Sequence, residues 1–213
     1  MTKRRFVLST FVMTALLLHA VTARAQDNAA DTAKLIDVLL LKPGSVVAEI
    51  GAGSGGELTI ALAQHVGASG RVFSNELGNE RVQRLRTAVE KSAVANVTIV
   101  DGHEQRANLP DGCCDAIFMR NVYHHFGDPA AMHASFLRAL RPGGRIAIID
   151  FTPRRFVRGD DSMPLTAPPG KRGDDSAHGV GPDVVAQELK AAGFDVVASE
   201  EGRDRWFIVV ARR

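Results

Sequence analysis

A doubly wound α/β fold, with a mostly parallel sheet and helices on both faces, is predicted by three observations. The stretch Val46–Gly56, VVAEIGAGSGG, joins a short apolar strand to a turn holding Gly51, Gly53, Gly55 and Gly56, and a helical pattern begins at Leu58. Short apolar runs then alternate with helical stripes along the chain, the pattern of strand–helix–strand units around a parallel sheet. Finally, Gly51–Gly56, Glu76, His103–Glu104, Asn121 and Asp150 all fall at the carboxyl ends of separate predicted strands. Ligands on such sheets bind beyond those ends.

Taken in order, residues 1–25 divide into a basic start (Lys3-Arg4-Arg5), an apolar run from Phe6 to Val21, and a small-x-small site at Ala23-Arg24-Ala25. This is the pattern of a secretory signal peptide cleaved after Ala25. The alternative is an uncleaved membrane anchor, for which the run is short. Arg4-Arg5 also loosely fits a twin-arginine signal. The remaining residues, 26–213, are expected to form one domain. Apolar residues at Leu35, Ile36, Leu39 and Leu40 mark a first helix with Asp31 as its N-cap, and Lys42-Pro43-Gly44 ends it. After the glycine turn come a helix over 57–66, a strand over 71–76, a helix over 79–91 and a strand over 96–100. A polar loop over 101–112 leads to a strand over 115–119. A helix over 129–140 follows, with a turn at Arg141-Pro142-Gly143-Gly144 and a strand over 145–150. Residues 151–182 hold the five prolines and the dense charge expected of an irregular lid. A helix over 183–192 and two closing strands, 194–198 and 206–211, complete the chain.

Two frames compete for the glycine turn. Gly51-x-Gly53-x-x-Gly56, with Glu76 placed 20 residues after Gly56, has the spacing of a dinucleotide site. The same letters also read as an acid, Glu49, followed by Gly51-x-Gly53-x-Gly55. In this second frame the chain resembles the class I S-adenosylmethionine-dependent methyltransferases. Further residues support the resemblance in the right order: Leu109-Pro110-Asp111-Gly112 with Asp115-Ala116-Ile117-Phe118, then Leu140-Arg141-Pro142-Gly143-Gly144-Arg145, then Ala192-Gly193-Phe194. It covers roughly Leu35 to Ala211.

The resemblance implies a Rossmann-like, seven-stranded sheet whose last strand is antiparallel. It implies S-adenosyl-L-methionine as cofactor. Gly51, Gly53 and Gly55 would line its methionine–ribose part, Glu49 would meet its ammonium group through water, and Glu76 would accept the ribose hydroxyls. Gly102, His103 and Glu104 would meet adenine, in place of the family's usual Gly-Asp, and Asn121 would line the methionine end. The activity implied is in-line transfer of a methyl group to a small-molecule acceptor. A carboxylate suits two ribose hydroxyls because it accepts two hydrogen bonds at once. A general base is needed only where the acceptor must lose a proton; Tyr123, His124, His125 and Asp150 are the candidates, and none is required. An exported non-catalytic binding protein for a nucleoside-type ligand is the main alternative. A nicotinamide-dependent oxidoreductase is the weaker one.

Composition narrows the partners. Without residues 1–25, Lys+Arg falls from 26 to 22 against 24 Asp+Glu, so no basic surface for nucleic acid is expected. No membrane insertion is expected after cleavage, and oligomeric state is not read. The adjacent Cys113 and Cys114 lack metal-ligand partners, sequence neighbours seldom form a disulfide, and a small buried apolar role for Cys114 is the expectation. No metal site is read from the sequence.

Overall fold

The computed structural model describes residues 28–153, 178–202 and 205–213. The expected signal peptide, and most of the expected lid, lie outside these residues. Five helices and seven strands are described: α1 (28–38), β1 (Val46–Ile50), α2 (Glu57–Val66), β2 (Arg71–Glu76), α3 (Asn79–Lys91), β3 (Val97–Asp101), β4 (Cys114–Arg120), α4 (Pro129–Ala139), β5 (Leu140–Phe151), α5 (Pro182–Ala191), β6 (Asp195–Glu201) and β7 (Trp206–Arg212). A single 3-10 turn, Tyr123–His125, follows β4.

The strands form one sheet in the order β3-β2-β1-β4-β5-β7-β6. β1 pairs in parallel with both β2 and β4, and only β7 runs antiparallel to its neighbours β5 and β6. The chain reverses its direction of winding between β1 and β4, so the ligand crevice is expected beyond the carboxyl ends of those two strands.

Period-two alternation builds a core on each face. Ile117 and Met119 of β4, Ile146 and Ile148 of β5, and Val209 of β7 pack with Met132 and Phe136 of α4 and Val185 and Leu189 of α5. Their immediate neighbours Ala116, Phe118, Ala147, Ile149 and Val210 face the other way, onto Leu35 of α1 and Leu58 and Leu62 of α2. α3 buries Leu85 and Val89 against Ala52 in a smaller cluster that shares Val94 and Val97 with the α1–α2 side. Central strands buried on both faces read as continuous apolar runs, which is why β4 and β5 stand out in the sequence.

Three local expectations change. Residue 31 lies inside α1 rather than capping it, and its carboxylate instead accepts from Arg120 at the end of β4. The predicted turn at 141–144 is an irregularity within β5: Cys114 pairs with Leu140 but Ala116 with Arg145, so the intervening residues bulge out of register. Cys113 and Cys114 are joined in a disulfide, not separate as expected; their sulfurs meet where the chain turns from Gly112 into β4. Among the described residues no helix is long and apolar enough to cross a membrane.

Candidate active site

The register of β1 against β2 places Ile50 beside Asn75, so Glu76 sits one residue beyond the end of β1, where the glycine turn begins. The amides of Gly51 and Ala52 both donate to the Asn75 carbonyl at 2.9 Å, which ties the turn to β2. The Glu76 carboxylate is 5% exposed and accepts from the Gly53 amide at 2.6 Å and the Leu77 amide at 2.8 Å. Arg81 Nε stands 3.3 Å from its Oε1. A carboxylate has about four lone-pair directions, so Oε2 keeps acceptor capacity for a ligand hydroxyl.

A cleft of about 700 Å³ opens over this end of the sheet. Its walls include Gly51 and Gly53 from the turn, Glu76, then Gly102, His103 and Glu104 after β3, and Asn121 after β4. Seven of the residues singled out from the sequence for cofactor binding therefore meet at one cleft. Asn121 is held there in a left-handed conformation, φ +61°, with its amide bonded to the Ile149 carbonyl at 3.0 Å. Asparagine tolerates that region better than most residues. Gly102 packs closely: an added Cβ would stand 3.0 Å from Asn75 Oδ1 and from the Glu76 carbonyl. Over Gly53 an added Cβ would meet nothing within 4 Å, so the cleft is open to a ligand directly above the turn.

Two members of the motif stand apart from this wall. Gly55 faces Glu57, whose carboxylate would lie 2.5 Å from an added Cβ. Glu49 lies behind the turn, 4% exposed, and accepts from Thr59 Oγ1 at 2.5 Å. Thr59 in turn stands 2.7 Å from Ser74 Oγ. Burial pushes the Glu49 carboxyl up to about 7, against the pull of the Thr59 hydrogen bond and the Arg120 charge.

The four candidate bases separate clearly. Tyr123 is fully buried; its hydroxyl donates to Glu188 Oε2 at 2.6 Å and lies 3.0 Å from His133 Nε2. It belongs to the α4–α5 core rather than to the cleft wall. Asp150, also fully buried, accepts from the His124 amide at 3.1 Å and from the Phe151 amide at 2.9 Å, and stands 2.8 Å from His124 Nδ1. Its role is to hold His124. His125 reaches the cleft. Burial lowers its pKa, with the neighbouring His124 and His178 adding to the shift, so the neutral imidazole is favoured.

Sequence reasoning missed several residues of the wall: Arg81, Arg120, Val122 and Met132. Arg81 lies in the first turn of α3, with its Nε 3.3 Å from Glu76 Oε1, and a basic residue so soon after Glu76 was the available signal. Arg120 is fixed by Asn28 Oδ1 at 2.8 Å and Asp31 Oδ2 at 2.7 Å, a pairing across 89 residues or more that no local pattern announces.

A glycine turn, an acid at the end of the next strand and a cleft at the switch point define a nucleoside-cofactor site on a doubly wound sheet. Comparison with known proteins specifies the cofactor. A family model described as a methyltransferase domain matches residues 48–148. A phosphoethanolamine N-methyltransferase of Triticum aestivum is 30% identical over 183 residues, 85% of this chain and 34% of the relative. A ubiquinone/menaquinone biosynthesis C-methyltransferase of Shewanella piezotolerans is 30% identical over 112 residues, 52% of this chain and 44% of the relative. The chain thus spans between about a third and under half the length of these curated relatives. The crystal structure of a SAM-dependent methyltransferase from Aquifex aeolicus superposes with a TM-score of 0.69 at 26% identity, covering 85% of this chain and 89% of that one.

Residues 48–148 form a methyltransferase domain, similar in fold to a solved SAM-dependent methyltransferase, and S-adenosyl-L-methionine is its cofactor. The site fits that group: an open cradle over Gly53, an acid with free acceptor capacity, and a volume of about 700 Å³.

Proposed function

We propose that the protein moves a methyl group from S-adenosylmethionine to a small-molecule acceptor, and that it does so after export. The observation that carries the first part is Glu76, fixed by two backbone amides at the rim of a cleft that also gathers Gly53 and Asn121. The wheat relative is named for phosphoethanolamine and the Shewanella relative for ubiquinone and menaquinone biosynthesis, both small-molecule chemistry. Export is supported by the basic, apolar and small-residue parts of residues 1–25.

When bound, the cofactor would supply an electrophilic methyl group on a sulfonium, open to in-line attack by the acceptor with S-adenosylhomocysteine as the leaving group. The chain's own contribution is to bind, orient and exclude water. Glu76 accepts the ribose hydroxyls, and Gly51, Gly53 and Asn121 shape the path of the amino-acid tail. Gly102, His103 and Glu104 meet the base. Gly55 supports the turn through its approach to Glu57, and Glu49 acts from behind, holding α2 to β1 through Thr59. His125 faces the cleft in a form able to accept a proton from an acceptor that must lose one.

Calorimetry with S-adenosylmethionine, S-adenosylhomocysteine and NAD tests the cofactor. Both sulfur compounds should bind and NAD should not; NAD binding alone would refute the reading. Glu76→Ala removes charge-assisted hydrogen bonds and should weaken cofactor binding by about 1.5 kcal/mol or more, roughly tenfold. An unchanged dissociation constant would remove Glu76 from the ribose. Turnover on an acceptor panel separates an enzyme from a binding protein. Fractionation of the native host tests export: full-length chain in the soluble cytoplasm would refute it.

A further inference from the structure

The histidines that follow β4 meet a third from a distant part of the chain. Among the described residues His124, His125 and His178 each present a ring nitrogen such that all three nitrogens lie within 4.8 Å of one another. The geometry points to a binding site for a divalent transition-metal cation of the zinc type, held by these three imidazoles with Asp150 orienting the first. This goes beyond methyl transfer and does not depend on it, except that an ion bound here takes the His125 lone pair that otherwise accepts a proton.

Four features build the site. First, Asp150 is fully buried, and its Oδ1 lies 2.8 Å from His124 Nδ1. A carboxylate offers lone pairs, so the proton sits on Nδ1 and Nε2 is left with its lone pair directed outward. A carboxylate behind a histidine is the usual support of a metal-bound imidazole, fixing tautomer and ring angle. Second, His124 Nε2 and His178 Nε2 are 3.2 Å apart. Two nitrogens bound at about 2.0–2.1 Å to one tetrahedral zinc stand about 3.3–3.4 Å apart. The pair is already spaced to share an ion.

Third, the rings are held against a common floor. Phe151 packs on His124 at 4.8 Å and on His178 at 5.0 Å between ring centres, and Trp206 closes on Phe151 at 5.4 Å. Fourth, the backbone that carries His178 is pinned to β5. The Val180 amide donates to the Phe151 carbonyl at 3.0 Å, and a Cβ on Gly179 would stand 2.7 Å from that same oxygen. Only glycine allows so close an approach.

Donor chemistry selects the ion. Three imidazole ligands suit zinc and its first-row neighbours, whereas magnesium and calcium require oxygen ligands. Three protein ligands also leave a coordination position for water or an incoming donor atom, the arrangement of catalytic rather than structural zinc. Because His125 also lines the cofactor cleft, the bound ion would stand beside the space left for the acceptor.

The test uses the untagged full chain, stripped with chelator and titrated with zinc by calorimetry and with cobalt(II) by visible absorption. One equivalent should bind, with cobalt bands of a four- or five-coordinate site. His178→Ala, a change on an exposed residue, should weaken zinc binding at least tenfold while thermal unfolding and S-adenosylhomocysteine binding confirm an intact fold. Asp150→Asn should weaken it roughly 10- to 100-fold. If Asp150→Asn fails to fold, His178→Ala carries the decision. Absence of saturable binding at one equivalent overturns the assignment, as does an affinity unchanged by His178→Ala. Magnesium binding as tightly as zinc would also overturn it. In each of these cases Asp150, His124 and His178 form only a hydrogen-bonded chain, with His125 packed against it.

Discussion

Gly51 and Gly53 sit two residues apart with nearly the same backbone, φ +71° and +69°, yet their surroundings differ in a way that separates stability from binding. Alanine in the left-handed region costs about 1–2 kcal/mol at either position. At Gly51 the added Cβ would also lie 2.4 Å and 3.0 Å from the two methyls of Val122. Val122 is β-branched and stiff at χ1, so it cannot rotate freely aside. Overpacking of this kind costs about a further 1–3 kcal/mol. At Gly53 nothing lies within 4 Å, and the methyl projects into the open cradle of the cleft.

Gly51→Ala should therefore unfold at a lower temperature than Gly53→Ala, by roughly 2–12 °C for a chain of this size. Gly53→Ala should keep most of its stability and lose cofactor affinity about tenfold or more, since one misplaced methyl in a fitted pocket costs about 1–3 kcal/mol. Adding Val122→Ala to Gly51→Ala should recover the packing part of the loss, visible as coupling in a double-mutant cycle. Thermal unfolding and calorimetry with S-adenosylhomocysteine read both quantities. Equal melting temperatures, or full cofactor affinity in Gly53→Ala, would refute the reasoning.

Two further outcomes follow from buried groups. The Glu49 carboxyl is raised from 4.5 to about 7 in the folded chain, chiefly by burial, so the native state binds this proton more tightly than the unfolded state. The stability it contributes is complete below pH 4.5 and is lost as pH rises through 7. Relative to Glu49→Gln, the native chain should lose about 3 kcal/mol over that window, measured by urea unfolding at several pH values; a difference that stays flat would place the carboxylate in water. Tyr123→Phe removes a buried hydroxyl bonded to Glu188 and should cost about 1–3 kcal/mol of stability without moving the cofactor dissociation constant; a shifted constant would return Tyr123 to the cleft.

The fold was legible because each of its central strands is buried on both faces, and such strands leave apolar runs that turns and helices separate cleanly. The rim of the cleft was legible for the same reason: a parallel sheet forces the residue after each strand toward one edge, so Glu76, Gly102 and Asn121 could be placed by counting strands. What strand counting does not give is the direction of a side chain within its strand. Glu49 alternates with Ala48 and Ile50, which enter the α4–α5 core, and so shares the side of Val47, under α2. That alternation, read together with Thr59 three residues into α2, carries the position of the carboxylate that the motif letters alone do not.

The histidines show a different limit. His124 and His125 are adjacent, but His178 lies 53 residues beyond His125, past β5 and a run of proline and charge with no periodicity. Its approach depends on a glycine, Gly179, that lets the backbone lie against the Phe151 carbonyl, and on a buried acid, Asp150, whose partner is 26 residues away. Metal-ligand spacing in sequence works when two ligands share one turn of helix or one loop. Here the third ligand comes from beyond β5 in the chain, and only the assembled fold brings it within reach of the other two.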